Sequence, residues 1–323
     1  GGIERNKEIS FNSINLREGL YRPFCKQYNY FSLSLCHSLY LQKDYFPSND
    51  TNNLIICTSI LGGTTGFSSI ISNRFIEYSF GQCFPLYHYE INKNKQNTLF
   101  DTNSEDEYIK RDGVSDFILE RAIKQYGKSV SKEDIFYYVY GILHSSDYRN
   151  MFENDLKKML PRIPLLDKPK DFWLISKSGR ELAELHLNYE SVATYDDVVI
   201  IGDESQNYQV QKMAFGKIKK EINGNNKTVA DKSVIHFNSS ITIRNIPEKA
   251  YEYVVNGKSA IEWIIDRYQI TIDKKSGIQN NPNDWADEVG NPRYILDLLL
   301  SIINVSIQTV DIVEGLPKLE FEN

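Results

Sequence analysis

The chain has 323 residues, 41% hydrophobic and 25% charged, values that exclude wholesale disorder, a collagen-like repeat and a disulfide mini-scaffold. Its net charge of −6 argues against non-specific coating of nucleic acid, which needs a strongly basic surface, but leaves room for a reader with one basic face. Four cysteines (Cys25, Cys36, Cys57, Cys83) without a secretory start read as reduced thiols of a cytoplasmic protein, and apolar runs such as Ile295–Ile303 fall short of the roughly 18–20 residues of a bilayer span.

The length predicts about two subdomains at roughly 150 residues each. The opening Gly1-Gly2, with no Met, suggests a piece of a longer protein. The first stretch, 1–91, is β-rich. Leu54–Ile60 is a short apolar run between Asn52-Asn53 and Gly62-Gly63. Arg74–Phe80 alternates through Phe75, Ile76, Tyr78 and Phe80, and Phe84–Tyr89 is aromatic and apolar. Residues 92–113 are polar and read as a linker or long loop.

Helices are expected over 114–190. Ser131-Lys-Glu-Asp134 forms a capping-box pattern before Ile135–Leu143, a run apolar enough on all sides to be buried. Met151, Phe152, Leu156, Met159 and Leu160 make one helical stripe that Pro161 and Pro164 stop. Another helix covers 178–188. Strands return at 197–201, 208–215, 233–237 and 240–244. The remainder, 247–323, is mainly helical: Ile261, Ile264, Ile265 and Tyr268 share one face, and Asn291-Pro292 opens a helix. The fold class is α+β, with helices and mainly antiparallel sheets in two or more subdomains. The expected segments are 1–100 (β-rich), 101–191 (helical) and 192–323 (strands, then helices).

Catalytic motifs are weak. Leu61-Gly62-Gly63-Thr64-Thr65-Gly66 follows a strand as a phosphate-binding loop would, but no Lys-Ser or Lys-Thr follows it, so a glycine-bearing turn accounts for it. Asn291-Pro292-Arg293-Tyr294 is similar to the Asn-Pro-Pro-Tyr loop of amino-methyltransferases, but its third residue is Arg and an acidic stretch precedes it. A helix start explains the same residues. His37, His88, His144, His186 and His236 are scattered, without metal-ligand spacing. Glu153, Asp155 and Lys157 fall on a helix and read as a solvated face rather than a nuclease site. No Gly-x-Ser-x-Gly elbow occurs.

Basic residues are more informative. Segment 205–232 holds six lysines against two acids, a local balance of +4, interleaved with Gln and Asn in a hairpin-like pattern. Lysine for phosphate with amides for base edges is the chemistry of DNA reading. A solvated lysine-rich loop is the competing account. Lys274-Lys275-Ser276-Gly277 is a second basic turn.

Longer strings carry a resemblance. Leu20-Tyr21-Arg22-Pro23-Phe24-Cys25-Lys26, Gln82–Tyr87, Tyr138–Arg149, Leu160–Pro164, Gly179–His186, Ile246–Trp263, Asp273–Gly277 and Gly290–Asp297 together resemble the C-terminal specificity (target-recognition) region of Type ISP single-polypeptide restriction–modification enzymes. The resemblance runs from about residue 20 to 317. It implies a non-catalytic region that recognises a duplex DNA sequence and directs an adenine-N6 methyltransferase and a nuclease elsewhere in the parent chain. The implied partners are double-stranded DNA and the methyltransferase and helicase domains of the parent, with no membrane. The implied cofactors are none in this chain, while the parent uses S-adenosylmethionine, ATP and Mg. Candidate DNA contacts are Arg22, Lys26, Arg149, Arg162, Lys177, Arg180, Gln209, Gln211, Lys212, Lys217, Lys274 and Lys275. Alternatives are a stand-alone DNA methyltransferase or nuclease fragment, and an interdomain docking scaffold that presents the apolar helices 135–143 and 295–303. The long strings are expected to be scaffold, and the readers to lie within about 192–245.

Overall fold

The computed structural model describes residues 10–32, 35–36, 41–76, 81–92, 107–202, 207–222 and 224–319. The chain forms two units, one of residues 1–187 with 315–323 and one of residues 188–314.

In the first unit β1 (Leu16–Arg22) pairs antiparallel with β2 (Cys25–Tyr30). Their tight turn holds Phe24 at φ 59° with its ring buried. A short helix, α1 (Gln42–Tyr45), leads to β3 (Ile55–Thr58), whose residues are all buried. β4 (Ser69–Ser72) pairs with β3, β5 (Phe75–Ile76) joins β1 in parallel, and β6 (Cys83–Pro85) takes the other edge of β3. In that register Cys57 and Cys83 face each other as free thiols, Sγ to Sγ 2.7 Å. β7 (Tyr87–Ile91) and β8 (Tyr108–Asp112) form a separate antiparallel ladder. The buried Asn53 amide joins two of these regions. It donates to the Tyr45 and Tyr87 carbonyls and accepts from the Tyr87 N–H.

The helices of this unit are α2 (Asp116–Tyr126), α3 (Lys132–His144), α4 (Ser146–Met151), α5 (Glu153–Leu156) and α6 (Pro169–Leu187). Ser131 caps α3 reciprocally with Asp134, as the sequence predicts. α3 and α6 touch backbone to backbone. A Cβ at Gly141 would stand 2.5 Å from the Ile175 carbonyl oxygen, and one at Gly179 would collide with the Tyr137 carbonyl. Between the same helices Ser176 Oγ donates to the Asp134 carbonyl (2.8 Å), and Arg180 donates to the Asp134 carboxylate (2.8 Å). Farther along the same two helices Tyr140, His144 and His186 are all buried. Tyr140 Oη and His186 Nδ1 are 2.6 Å apart, and the two imidazole centroids 5.5 Å.

The second unit begins with β9 (Val199–Ile201) and continues through the long hairpin of β10 (Ala214–Ile222) and β11 (Asn225–His236) to β12 (Thr242–Arg244). The antiparallel order is β10-β11-β12-β9. Ile235, Phe237, Ile241 and Ile243 are fully buried, each contributing about 1.5–3 kcal/mol of transfer free energy. A small hairpin, β13 (Val254–Val255) with β14 (Lys258–Ser259), turns through Asn256 (φ 47°) and Gly257 (φ 80°). It feeds α7 (Ala260–Arg267), where Ser259 and Glu262 form a second capping box and Trp263 Nε1 donates to the Val255 carbonyl. β15 (Thr271–Ile272), β16 (Gln279–Asn280), α8 (Asn283–Glu288) and α9 (Tyr294–Glu314) complete the unit.

Five expectations need correction. Residues 108–112 of the expected linker are strand β8; residues 93–106 lie outside the described residues, as do Tyr78, Phe80 and His37. The run Phe84–Tyr89 is not one strand, because the chain leaves the β3 sheet at Leu86 and pairs next with β8. The stripe 151–160 is not one helix. It breaks at Phe152, and Met151, Met159 and Leu160 are exposed while Leu156 alone packs inward fully. Residues 208–213 are irregular, and the strand starts at Ala214. Finally, α9 is long and apolar enough by length and composition to cross a membrane, but 67% of its apolar window is buried inside the protein.

Two outcomes follow from this packing. Gly179→Ala is expected to destabilise the chain by about 1–3 kcal/mol, because overpacking must part α3 from α6; an unchanged urea midpoint contradicts the close approach of the two helices. Burial, aided by the Arg149 charge, lowers the His186 pKa from 6.5 to about 3, and the same causes push His144 well down. Both imidazoles are therefore neutral in the fold, whereas the unfolded chain takes up protons below about 6.5. Stability is full above that pH and falls as pH drops toward 3, by up to about 1.4 kcal/mol per pH unit for each histidine. Urea midpoints measured against pH check this: His186→Gln is expected to flatten the slope, and an identical slope rejects it.

Candidate nucleic-acid interface

The outer part of the long hairpin is exposed on both strands, at residues 217–221 and 224–228. Phe215 pairs with Ile235, but Gly216 pairs with Asp231, so β11 carries three extra residues at the base of the arm. That bulge is pinned. Asp231 accepts from Ser233 N and Oγ, Tyr251 Oη donates to the Lys232 carbonyl, Lys232 Nζ bridges Glu262, and Ile246 N donates to Ser233 O. It brings Val234 over Gly216, where an added Cβ would stand 2.9 Å from Val234 Cβ, so the position needs glycine. Beyond the bulge the pairing runs unbroken from Gly216–Asp231 to Ile222–Asn225, with Gly224 at φ 76° in the connection.

Lys217, Lys219, Lys220 and Lys227 are exposed on this arm, and among the described residues none makes an ion pair. Lys219, Lys220 and Lys227 count among the six lysines of the basic segment 205–232 but are not among the candidate DNA contacts drawn from the sequence. Strand alternation from Lys217 finds Lys219, whereas Lys220 and Lys227 stand opposite each other on the other face.

Nearby, residues 207–213 are held by Asn283, whose side-chain amide pairs with both backbone groups of Val210 (2.8 and 2.9 Å). Gln209, Gln211 and Lys212 are exposed on that stretch. Ile270 N donates to the Gln211 carbonyl, which joins the β15–β16 hairpin to it. The tip of that hairpin holds Lys274 and Lys275, both exposed, in a turn nucleated by Asp273, whose carboxylate accepts from Lys275 N, Ser276 N and Ser276 Oγ. Gln209, Gln211, Lys212, Lys217, Lys274 and Lys275 thus belong to one unit.

The candidates of the first unit are engaged differently. Arg180 is tied to Asp134 and Glu133 over the Tyr137 ring. Burial opposes ionisation of Asp134, but hydrogen bonds from Ser131 and Arg180 outweigh it and hold its pKa below the ordinary value. Arg149 Nε donates to the Leu143 carbonyl at the end of α3. Arg22 lies over the Tyr21 ring and donates to the Tyr21 carbonyl. Lys177 pairs with Glu181 one helical turn on. Lys26 is half-buried on β2, and Arg162 is exposed beside a cleft of about 390 Å³ lined by Tyr148, Phe152 and Met159.

The catalytic alternatives find structural uses for their residues. Gly62–Gly66 belongs to the connection between two antiparallel strands, β3 and β4, not to a strand–helix turn. Asn291 accepts from Arg293 N just before α9, and Arg293 pairs with Asp297 and stacks on Tyr208. Among the described residues no group of three or more His, Cys, Asp or Glu is placed to hold a metal. The proposed docking helices are core: eight residues of α3 and twelve of α9 are buried.

The family description "Type ISP C-terminal specificity domain" matches residues 1–298. No curated protein matches the chain significantly. Among solved structures, the ATP-dependent Type ISP restriction-modification enzyme LlaBIII bound to DNA is 36% identical with a TM-score of 0.81 over 99% of this chain. A nuclease-deletion mutant of the Type ISP enzyme LlaGI in complex with a DNA substrate mimic is 38% identical, TM-score 0.77, over 99% of this chain. A cryo-EM structure of a DrdV–DNA complex is 26% identical, TM-score 0.78, over 98%. The chain spans 19%, 26% and 30% of those three proteins respectively. With this match over most of its length, the chain belongs to the Type ISP C-terminal specificity domain family.

Proposed function

We propose that this chain is a non-catalytic module that recognises a duplex DNA sequence. In the parent it directs an adenine-N6 methyltransferase and a nuclease, with the helicase-like ATPase as a further neighbour. The observation that carries the reading is the set of exposed lysines on the β10–β11 arm and at 274–275, which among the described residues make no ion pair and share a unit with exposed Gln209 and Gln211. Lysines that the fold does not neutralise are available to phosphates, and phosphate contacts set register while amides and other polar groups read base edges. Membership of a specificity-domain family and the DNA complexes of its structural relatives support the same reading. S-adenosylmethionine, ATP and Mg belong in this reading to the rest of the parent.

The test is enrichment of duplexes from a pool with a randomised centre, followed by affinity measurements across a salt series. The 323-residue chain is expected to enrich one sequence. Lys212→Ala, Lys274→Ala and Lys275→Ala together are expected to weaken binding to every duplex alike. They should also flatten the slope of log K against log salt by about 0.9 for each phosphate that is no longer neutralised. Failure of the wild-type chain to enrich any sequence rejects the reading.

A further inference from the structure

We propose that the β10–β11 arm is a major-groove reader with two functionally distinct faces. One meets base edges through Lys219, Glu221, Asn226 and Thr228. The other clamps the backbone through Lys220 and Lys227. The inference rests on the duplex-DNA reading above and assigns its specificity residues.

Geometry comes first. Beyond Asp231 the hairpin has no third strand among the described residues: β10 is the edge of its sheet, and β12 pairs with β11 only at Val234–His236. Residues 217–221 and 224–228 are exposed, whichever face they lie on. Seven residue pairs at about 3.4 Å each give a ribbon of roughly 20 Å. The major groove of B-DNA, about 12 Å wide, admits a two-stranded β-ribbon. A ribbon open to water on both faces buries too little to be stable without support, so the pinned base has to hold it.

The register then sorts the chemistry. Cross-strand partners share a face, and faces alternate along each strand. Lys219 opposes Thr228, and Glu221 opposes Asn226, so one face offers donors, an acceptor and an amide together. Lysine suits the guanine O6 and N7, Asn the adenine N6 and N7, and a carboxylate the cytosine amino group. On the other face Lys220 stands directly opposite Lys227. Like charges so placed oppose strand pairing. Among the described residues neither lysine has an ion-pair partner, and a phosphate lodged between them relieves the repulsion.

The test uses the same randomised duplex pool with two double variants, each first checked by thermal melting for an intact fold. Lys219→Ala with Asn226→Ala is expected to relax the enriched sequence at one or more positions, with roughly 5- to 100-fold loss of discrimination there. Lys220→Ala with Lys227→Ala is expected to keep the sequence, bind it more weakly, and lower the salt slope by about 2. Glucosylated 5-hydroxymethylcytosine in the selected duplex fills the major groove only and is expected to abolish discrimination. The inference is overturned if the first variant enriches the wild-type sequence with undiminished discrimination, if the second alters the sequence rather than the salt slope, or if the glucosylated duplex binds as the plain one does. A wild-type chain that enriches nothing overturns the duplex-DNA reading itself, so the two failures are distinguishable.

Discussion

The second unit depends on burying α9 on nearly every side. Its twelve buried residues include Ser301, Ser306 and Thr309, so the helix brings hydroxyls into the core along with its leucines and isoleucines. Each hydroxyl is satisfied: Ser306 and Thr309 donate to carbonyls one turn back, and Ser301 donates to Val192. Buried polar groups without partners would cost several kcal/mol, so these bonds decide that the helix stays in the protein interior. The same helix fixes its neighbours. Asn304 donates to Ala193, Tyr195 N donates to Leu300, and Lys249 reaches both Asp311 and Glu314. Those ties make a rigid platform, and a recognition surface requires one.

From that platform outward, burial falls along the hairpin. Ile235 is fully enclosed, whereas Ile218 is 42% exposed. Local stability follows buried contacts, so the outer arm lies at the low end of the unit and its base at the high end. The three-residue bulge is the transition between the two regimes. It ends the sheet pairing, and the Tyr251, Glu262 and Asp231 bonds hold the strands where the ribbon leaves the sheet. An element that enters a groove has to be narrow and unshielded, and its orientation has to come from where it is rooted.

The parts of this architecture written in short-range chemistry were legible in the sequence. Ser131 and Asp134 named the start of α3, and of the predicted stripe Ile261, Ile264, Ile265 and Tyr268 all but half-buried Ile265 are buried along α7 and its C-cap. The string Asn256-Gly257-Lys258-Ser259-Ala-Ile-Glu262-Trp263 is scaffold residue by residue: two left-handed turn positions, a cap, its reciprocal acid and a buried indole. What depended on distant partners was not legible. Tyr108–Asp112 is a strand because Tyr87–Ile91 pairs with it, and nothing in its own composition says so. The break at Phe152 and the switch of sheets at Leu86 are likewise set by packing. For the site, the basic hairpin was visible as a composition, but the division of its lysines between two faces needed the register.

Charge shows the same dependence on partners. Arg180 and Arg149 look like DNA ligands in a linear reading, yet folding engages both: Asp134 lies 46 residues from Arg180, and Arg149 stands over the ring of distant Phe67. Lys217, Lys219, Lys220 and Lys227 look no different in composition, but the fold leaves them without ion pairs among the described residues. Electrostatic attraction between exposed charges fades over about 10 Å at 0.1 M salt, so a phosphate on the arm responds to those lysines and very little to acids elsewhere. The net charge of −6 is therefore compatible with a duplex partner. What decides binding is the charge the fold leaves unpaired, and four such lysines stand together on the outer part of this one hairpin.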